Sequence, residues 1–598
     1  MYGVYGKLLI VDLSKMDIIE KELEQEVFYE FLGGRGLGAY LLAKMLAPGE
    51  DPLSPNNVIV FATGPATDSG LAPASGYGIF TKSPVTGLFT EAYAKGYLPS
   101  LIKRTGYDAI VITGAASHPS FITISELGVN FYDAVETWGM DTDTAEGSIL
   151  NVVGATDSEV LVIGPAGENM IASACLKSNR HRSFGRAGLG AVFGSKNLKG
   201  VVFRGGAKAE LYESEAFTGW NDQFIRRCNN EEEAKAIKFF SIPSLVTVAN
   251  TRGFFTSGYW AEGRLEGWEK IVESYRSGKV SAKGLSCHSC LLSCDQETFI
   301  NYDHCGRGVK GLDYNYLSAI GGLCRITSLE DIVSLVDLCE QLGIDPVSAG
   351  NIASFAIEAG LRGKLDNPPL YGNSDRIALF LESVAYRKGE GVIFADGIRE
   401  AAAMLDMPDL AVHFRGLEPA GFDPRVIKIV ALSHLVSGFG ESNPESFYLS
   451  GLGYGLFDTE KRNNPARIFV EYEDKMNIID SLVFCRNAHK LIQWENLIAV
   501  VFLLTGKRYS AAGLRAVSAR NLSTIRLFNL SEVTTGMGDS LPSRFIEEPI
   551  NNEKDLVKVE ELELMLKDYY LLRGWNEKGI PPAGNNNQQL LRRTIQCL

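Results

Sequence analysis

Three cysteines within eight residues constrain this chain more than any other feature of its sequence. Cys287, Cys290 and Cys294 have the spacing C-x2-C-x3-C. This spacing brings three thiolates together on one short loop, and soft thiolate ligands select iron–sulfur clusters, zinc or copper(I). Ten cysteines scattered over 598 residues would seldom produce such a run. The segment is therefore predicted to bind a metal centre, and the fold has to support that loop.

The predicted metal centre needs a fourth ligand. A four-iron cluster is held by four cysteines, one of which is often remote in sequence. A structural zinc site needs a fourth Cys or His, often from a second close-spaced pair. The sequence has no second C-x2-C pair, which favours the cluster over zinc. Candidates for the fourth ligand are the isolated cysteines Cys305, Cys324, Cys339 and Cys485.

The length and the charge of the chain exclude several classes of protein. Its 598 residues suffice for about two to four domains with buried cores. With 58 Lys and Arg against 72 Asp and Glu, the net charge is −14, which disfavours general nucleic-acid binding. No stretch approaches the ~20 apolar residues of a membrane span, and the first residues lack the pattern of a secretory signal. We expect a cytoplasmic protein with no membrane span and no nucleic-acid partner.

The pattern of apolar residues changes near position 206. Before it, short apolar runs of strand length alternate with Gly, Pro and Ser. After it, apolar residues recur at the three-to-four spacing of helices with one buried face, and LEPAGFDPR interrupts that pattern near 416. The predicted fold class is α+β, with a β-sheet-rich domain at 1–205 followed by two mostly α-helical domains at 206–415 and 416–598. We find no internal repeat. The predicted strands are Leu8–Leu13, Asn57–Thr63, Ala109–Gly114, Val160–Pro165 and Gly200–Gly205, and a helix is predicted at Phe31–Leu46.

Two glycine-rich segments of the first domain each contain an arginine. They are Gly33–Gly38 (GGRGLG) and Gly185–Gly190 (GRAGLG). Glycine allows backbone amides to approach a ligand closely, and arginine binds phosphate oxygens bidentately. TKSPVTG and GSKNLKG add lysine and hydroxyl donors. These segments predict one large phosphorylated cofactor in the first domain, although neither matches a dinucleotide-binding fingerprint.

Motifs in the same order along nearly the whole chain resemble those of the tungsten-containing aldehyde ferredoxin oxidoreductases. They include FLGGRGLGAYLL, ATGPATDSGLAPASGYGIFTKSPVTG, NRHRSFGRAGLGAVFGSKNLKG, CEQLGIDPVSAG, PAGFDPR and YYLLRGW. The resemblance implies that the sheet-built domain binds tungstopterin, in which two pyranopterin-dithiolenes hold tungsten, or molybdenum in some relatives. It also implies a [4Fe-4S] cluster and a Mg²⁺ ion that bridges the pterin phosphates.

The resemblance further assigns the cluster ligands and the pterin contacts. The family motif D-x-x-G-L-C matches Asp480 to Cys485, with Val483 in place of glycine, so Cys485 joins Cys287, Cys290 and Cys294 as the fourth cluster ligand. The sister motif D-x-x-G-L-D matches Glu340 to Asp345, with Glu in place of the first Asp. The expected cofactor-binding residues are Arg35, Gly36, Gly76, Lys82, Arg182, Gly185, Arg186, Ala187, Gly188, Glu340, Gly343, Asp345 and Asp480.

Departures from the family motifs affect the choice of catalytic residues. The family's active-site acid matches Asp313, which is a shorter acid, and its histidine after the FDPR-like segment has no counterpart here. Glu441 is the second candidate proton carrier and His434 the third. Cys324 is a separate candidate, because relatives that reduce aromatic-ring thioesters use a cysteine of this region as a direct metal ligand. The other interpretation of Cys324 is a small buried cysteine in a helix.

The resemblance implies an oxidoreductase that oxidises an aldehyde with water to a carboxylic acid. Its electrons would pass through the cluster to ferredoxin or to a ferredoxin-like iron–sulfur subunit. The alternative is low-potential reduction of a carboxylic acid or an aromatic acyl-CoA by the same cofactors within a larger electron-transfer complex. The missing histidine and Cys324 favour this alternative. A third hypothesis is a zinc-clamped binding protein without redox activity.

Overall fold

Two six-stranded β-sheets form the first third of the chain. They are seen in a computed structural model that describes residues 1–74, 76–154, 156–178, 183–231, 234, 242–300, 308–310, 312–439, 464–532 and 541–582. The first sheet contains β1 (Lys7–Asp12), β2 (Asp17–Glu22), β3 (Ile59–Ala62), β4 (Gly76–Lys82), β5 (Phe89–Lys95) and β6 (Ala109–Thr113). The second sheet contains β7 (Ser120–Ser125), β8 (Gly128–Asp133), β9 (Glu159–Ile163), β10 (Leu176–Ser178), β11 (Ser183–Phe184) and β12 (Leu198–Phe203).

The two sheets have the same topology. The strand order is β2-β1-β6-β3-β4-β5 in the first sheet and β8-β7-β12-β9-β10-β11 in the second. In each sheet one neighbouring pair is parallel, β1 with β6 and β7 with β12, and the other pairs are antiparallel. No internal repeat is visible in the amino-acid sequence, and the duplication appears only in the structure. The repeat lies in the backbone path, whereas the side chains differ, apart from a Gly-Pro-Ala run after β3 and after β9.

Apolar side chains on the facing sides of the two sheets form a shared core. Leu9 and Val11 of β1 pack in the same cluster as Leu161 and Ile163 of β9. The alternate residues of β9 point the other way, and Val160 packs in a separate cluster beneath a helix. This period of two is the pattern expected of strands buried on both faces. The five strands predicted from apolar runs are present as β1, β3, β6, β9 and β12.

Helices cover the outer faces of the sheets. The single helix predicted at Phe31–Leu46 is instead two helices, because Leu32 has a φ of 65° and breaks the helical path before Gly33. The helices of this part of the chain are α1 (Gln25–Phe31), α2 (Gly34–Met45), α3 (Leu98–Arg104), α4 (Thr142–Val153), α5 (Pro165–Glu168) and α6 (Leu189–Ser195), with a 3₁₀ turn at Val135–Thr137.

The rest of the described chain is mostly helical, so the predicted fold class is confirmed. Helices α17 and α19 pack against α2 and bring the C-terminal third onto the first sheet. The helices are α7 (Ser214–Asn230), α8 (Ile242–Arg252), α9 (Glu269–Arg276), α10 (Tyr314–Tyr316), a π-helix (Leu317–Leu323), α11 (Leu329–Leu342), α12 (Pro346–Leu361), α13 (Ser374–Ala385), α14 (Gly391–Phe394), α15 (Ile398–Met404), α16 (Lys428–Val436), α17 (Pro465–Ser481), α18 (Trp494–Thr505), α19 (Ala511–Glu532), α20 (Ser543–Glu547) and α21 (Val559–Arg573), with 3₁₀ turns at Pro408–Leu410 and Arg486–Ala488. Within these ranges no helix combines the length and the apolar character needed to cross a membrane.

A small three-stranded sheet supports the cysteine loop. It consists of β13 (Val280–Leu285), β14 (Asp295–Ile300) and β15 (Gly308–Lys310), in that order. The first two strands form a hairpin in which Leu285 pairs with Asp295. The three cysteines therefore lie in the connection of a hairpin within an otherwise helical region, a feature that the sequence analysis did not predict.

Candidate functional site

The structure brings a remote cysteine to the cysteine loop. Cys287, Cys290 and Cys294 are half-buried between β13 and β14, and Cys485 is buried four residues after the end of α17. The Cys294 and Cys485 side chains share a hydrogen bond. The backbone N–H of Cys485 donates to the carbonyl oxygen of Pro73 at 3.0 Å, which fixes Cys485 against the first sheet.

Hydrogen-bond donors surround these sulfurs. The backbone N–H of Leu292 donates to Cys290 Sγ at 3.2 Å, and Asn487 Nδ2 donates to Cys294 Sγ at 3.3 Å. The ammonium group of Lys95 interacts with Cys485. N–H···S bonds of this kind are typical of thiolates that ligate an iron–sulfur cluster. In the part of the chain that the structure describes, no three Cys, His, Asp or Glu side chains converge as ligands of a single metal ion.

A buried network of charges lies next to Cys485. Arg486 donates to both carboxylate oxygens of Asp480, from Nε at 2.8 Å and from Nη2 at 2.7 Å. Arg35 Nε lies 2.8 Å from a carboxylate oxygen of Glu91, and Arg486 Nη2 lies 3.9 Å from the other. The Tyr93 hydroxyl donates to Glu91 at 3.0 Å, and its ring lies beneath the Arg486 guanidinium at 4.7 Å. Burial raises the pKa of Glu91, although the two arginines oppose that effect.

The acidic motif that begins at Asp480 touches the first sheet through glycines. A Cβ on Gly76 would lie 2.7 Å from the carbonyl oxygen of Val483, and one on Gly64 would lie 3.0 Å from that of Leu482. Any side chain there would separate the motif from the sheet. Val483 has a φ of 57°, so it occupies with a β-branched residue the left-handed conformation for which the family motif has glycine.

The second acidic motif, Glu340 to Asp345, likewise packs closely against a glycine of the second sheet. A Cβ on Gly164, in the run after β9, would lie 2.5 Å from the carbonyl oxygen of Leu342. Gly343 has a φ of 73°, as Val483 has in the first motif. Each motif therefore packs against the Gly-Pro-Ala turn of its own sheet, Gly64 below one and Gly164 below the other.

Glu340 has a buried carboxylate oxygen that accepts no hydrogen bond from the described residues. Its Oε1 is unpaired, while Oε2 lies 3.8 Å from Lys177 Nζ. Lys177 is also 3.0 Å from Asp143. Burial raises the pKa of Glu340 to about 8, against the lowering effect of Lys177. A buried acceptor of this kind suits a ligand with a hydrogen-bond donor.

Arg186 links the second motif to the helical region. Its Nε donates to Asp345 Oδ2 at 2.7 Å, and its Nη2 donates to the carbonyl oxygen of Glu418 at 2.8 Å. Asp345 also accepts from the backbone N–H of Ser348 at 2.9 Å and caps α12. The Ser348 hydroxyl donates to Glu418 Oε2 at 2.9 Å. Burial raises the pKa of Glu418 to about 7, with Arg186 acting in the opposite direction.

The loop from Gly185 to Gly188 has an unusual backbone. Gly185, Ala187 and Gly188 have φ values of 88°, 63° and 78°. Ser83, in the TKSPVTG segment, donates to the carbonyl oxygen of Ala187 at 2.8 Å. Two of the segments predicted to bind phosphate therefore adjoin each other.

Some predicted cofactor contacts have partners within the protein. Lys82 forms a buried ion pair with Glu532 and donates to the carbonyl oxygen of Glu50 at 2.7 Å. A Cβ on Gly36 would collide with the carbonyl oxygen of Phe31, so this glycine allows α2 to approach α1. Arg182 lies outside the described residues, and so does Glu441.

The remaining catalytic candidates occupy different surroundings. Asp313 is half-buried and caps α10 by accepting from the backbone N–H of Tyr316 at 3.1 Å. His434 is fully buried in α16 and stacks on Phe414 with ring centroids 4.3 Å apart. Burial, and then Arg186 and Arg415, lower the pKa of His434 to about 3, which makes its imidazole neutral at pH 7.

Cys324 follows the π-helix, at the end opposite to Asp313. Its thiol is fully buried and donates to the carbonyl oxygen of Gly350 at 3.5 Å. Burial raises the pKa of the thiol to about 12. The residue is thus packed between the π-helix and α12.

Several residues that surround the candidate site were not singled out from the sequence. Glu91, Tyr93 and Lys95 occupy alternate positions of β5 and so share one face of that strand. The signal was present in the sequence, because FTEAYAK places polar side chains at every second position of an apolar strand. Arg486 directly follows a predicted cluster ligand, and Glu418 lies in LEPAGFDPR.

Comparison with protein families gives matches over most of the chain. A model described as "Aldehyde ferredoxin oxidoreductase, N-terminal domain" matches residues 8–205, and one described as "Aldehyde ferredoxin oxidoreductase, domains 2 & 3" matches residues 221–588. The tungsten-containing aldehyde ferredoxin oxidoreductase of Pyrococcus furiosus is 29% identical over 596 residues, covering 97% of this chain and 98% of the relative. The enzyme of the same name from Thermococcus kodakarensis has the same identity and coverage.

Two further proteins extend the comparison. The WOR-like subunit of an aliphatic sulfonate oxidoreductase from Pyrococcus furiosus is 27% identical, covering 97% of this chain and 96% of that subunit. Among solved structures, the active-site complex BamBC of benzoyl coenzyme A reductase with 1,5-dienoyl-CoA superimposes with a TM-score of 0.82 at 21% identity, over 99% of this chain and 97% of that one. That likeness concerns the fold. Because the two family models together span most of the sequence, the chain belongs to the aldehyde ferredoxin oxidoreductase family.

Proposed function

We propose that this protein is a tungsten-dependent oxidoreductase that oxidises an aldehyde with water to a carboxylic acid. Electrons leave through a [4Fe-4S] cluster to ferredoxin or a ferredoxin-like subunit. One observation supports the proposal most strongly: a six-residue segment carries Asp480 at one end and Cys485 at the other. The predicted pterin motif and the cluster thiols are therefore neighbours, which is what electron transfer between two such centres requires.

The residues present suit tungstopterin. Arg35, Arg486 and Lys177 are cations in largely buried surroundings, as an anionic cofactor would need. Glu340 offers an unpaired buried acceptor for a pterin N–H. At the second acidic motif, Arg186 and Asp345 form an ion pair that corresponds to the Arg486–Asp480 pair at the first motif. When bound, tungstopterin supplies a two-electron redox centre and the cluster supplies a one-electron outlet. The expected Mg²⁺ ion stays a prediction, since its ligands would be phosphate oxygens.

Asp313 is our candidate for moving the proton of the attacking water. Its carboxylate stands at the start of α10, and the next helical turn brings the hydroxyl of Tyr316 to 3.4 Å from the carbonyl oxygen of Ser183 in β11. Asp313 is thereby held near the strand that precedes the Gly185–Gly188 loop. His434, kept neutral by burial and two arginines, would accept a hydrogen bond rather than carry positive charge. Glu441 stays a candidate.

The relatives support the reaction class and leave the substrate to experiment. Those at 29% identity are named for aldehyde oxidation, whereas the one at 27% is named for aliphatic sulfonates. The reductive alternative would have Cys324 bind the metal. The hydrogen bond from the Cys324 thiol to the carbonyl oxygen of Gly350 does not support that role, because it is the contact of a thiol packed between two helices.

Metal analysis and a substrate panel test the proposal together. The protein would be purified anaerobically from cells supplied with tungstate, then analysed for tungsten, molybdenum, iron and zinc. We expect four irons and one tungsten per chain, and viologen reduction with aldehydes. Zinc without tungsten or iron would overturn the proposal, and reduction of an acid or acyl-CoA without aldehyde oxidation would replace it by the alternative.

Asp313→Asn tests the assigned proton carrier. Asn keeps the helix-capping acceptor but loses the acidity. We expect kcat to fall by about 10²–10⁴-fold with unchanged metal content. A variant with wild-type kcat would transfer the role to Glu441 or His434, whose Gln and Asn variants form the comparison set.

A further inference from the structure

Strand β5 runs from the buried charge network to the cysteine loop. Its residues Glu91, Tyr93 and Lys95 share one face, and the first two belong to the network around Arg486. Lys95 is the last residue of the strand and pairs in register with Gly76, which adjoins Val483. The ammonium group is therefore delivered to the region between the acidic motif and the thiols.

The cysteine loop docks onto the end of this strand. The backbone N–H of His288 donates to the carbonyl oxygen of Gly96 at 3.3 Å. The rings of His288 and Tyr97 meet edge to face with centroids 5.3 Å apart. These contacts flank Lys95 on its C-terminal side and hold the loop in place beside it.

Three cysteines dominate the electrostatic surroundings of Lys95. These cysteines are Cys485, Cys294 and Cys287. Among the three, Cys485 also forms a hydrogen bond with the lysine. The side chain is half-buried, so bulk water screens its charge only in part. A lysine ammonium is charged at neutral pH, so Lys95 places a positive charge next to the predicted cluster ligands.

We propose that Lys95 raises the reduction potential of the iron–sulfur cluster and so sets the driving force for electron transfer out of the protein. This inference rests on the proposed function. One electron entering the cluster adds one negative charge, and the same electron leaves to the ferredoxin-like acceptor. No bond forms or breaks, and Lys95 keeps its proton throughout. A fixed cation favours the more negative, reduced cluster over the oxidised one.

Redox titration followed by electron paramagnetic resonance measures the effect directly. The variants are Lys95→Met, which removes the charge and the hydrogen bond, Lys95→Gln, which removes only the charge, and Lys95→Arg, which keeps both. We expect the midpoint potential of the cluster to become more negative in the Met and Gln variants and to stay close to wild type in the Arg variant.

A second lysine provides the matched control. Lys283 is exposed on β13, the strand that leads into the cysteine loop. Lys283→Met removes the same charge from a solvated position, where screening is strong. The midpoint potential of the cluster in this variant should therefore equal that of the wild type.

Iron content distinguishes a failure of the proposed function from a failure of the inference about Lys95. Wild-type protein without iron would refute the proposed function itself. If the cluster is present and its potential is the same in all Lys95 variants, the inference about Lys95 is wrong. Loss of iron from both neutral variants would assign Lys95 to cluster assembly and would also overturn it.

Discussion

The carboxylate of Asp480 accepts two hydrogen bonds from the guanidinium of Arg486, at 2.8 Å and 2.7 Å. Asp480 is almost fully buried, and Arg486 also approaches Glu91. This ion pair joins the two ends of the segment 480–486, because Asp480 begins the acidic motif and Arg486 directly follows Cys485. Because the arginine sits between two acids, its position depends on both.

Asp480→Ala should therefore destabilise the protein. Removing one partner of a buried ion pair leaves an uncompensated charge and typically costs about 3–5 kcal/mol. We expect a lower unfolding temperature and reduced tungsten content in the purified protein. Glu471→Ala is the control, because it breaks a pair with Arg515 whose side chains are 54% and 39% exposed, and such pairs contribute about 0–1 kcal/mol. Equal effects of the two substitutions would contradict the importance of the buried pair.

Gly164→Ala should disturb the seat of the second acidic motif. The added Cβ would meet the backbone of Leu342 and Gly343, at 2.5 Å and 2.8 Å, and backbone atoms cannot rotate away. Overpacking of this kind costs about 1–3 kcal/mol. Gly147→Ala serves as the matched control, because that glycine lies within α4 with no atom within 4 Å of an added Cβ, and alanine there should stabilise the helix by about 0.5–1 kcal/mol. Denaturant unfolding of both variants measures the difference.

Glu418 should give stability a measurable dependence on pH. Burial raises its pKa from 4.5 to about 7 in the folded protein. Between these two values the folded state holds a proton that the unfolded state has lost, so stability falls as pH rises through this window. Glu418→Gln should remove that slope, and the variant should gain on the wild type by up to about 3 kcal/mol near pH 7. Unfolding temperatures at half-unit steps of pH provide the measurement.

Glu561, whose pKa is lowered rather than raised in the folded protein, is the control for that series. Hydrogen bonds from Lys428 and Lys558 lower the pKa of Glu561. Its stabilising contribution is present above its ordinary pKa and is lost as pH falls. Glu561→Gln should therefore change the profile only at the acidic end, and only slightly because the side chain is 43% exposed and solvent screens it. If Glu418→Gln and the wild type have parallel profiles, the assignment of the slope to Glu418 is wrong.

Cys290→Ser and Cys324→Ser should differ in their metal content. Cys290 lies in the loop, and its replacement removes a predicted cluster ligand, so iron and the cluster absorption should be lost. Cys324 donates to the carbonyl oxygen of Gly350, a role that a serine hydroxyl can take over. The Cys324→Ser protein should retain iron and tungsten. A protein that lost tungsten but kept iron would instead favour Cys324 as a metal ligand and support the reductive alternative.

The sequence predicted those parts of the fold that local patterns determine. The apolar runs at Leu8–Leu13 and Val160–Pro165 form strands because each has enough β-branched residues to be buried on both faces. The hairpin of β13 and β14 escaped prediction, since Val280–Leu285 is exposed at four of its six positions and shows no alternation. The repeated topology was also missed, because pairing between distant strands leaves no trace in a diverged sequence.

The candidate site was predictable where chemistry is encoded in spacing. The spacing of the three loop cysteines by itself predicted a metal centre, and the acidic motifs were predicted from the family resemblance. The charged residues that surround the cysteines and the acidic motifs could not be predicted from the sequence. Glu91 and Lys95 come close to Cys485 and Asp480 only through the pairing of β5 and the packing of α17 onto α2, which are long-range contacts. The assigned cluster and pterin ligands stay predictions until metal is measured.

The duplicated sheets have one consequence for how electrons can leave. Both acidic motifs rest on equivalent turns, but the first ends in Cys485 and the second ends at the corresponding place in Asp345, which caps a helix and binds Arg186. At the same position, the first motif therefore carries a predicted cluster ligand and the second carries a carboxylate. On the proposed assignment electrons leave beside the first motif, so substitutions among the polar groups around the second motif should leave the exit route unchanged.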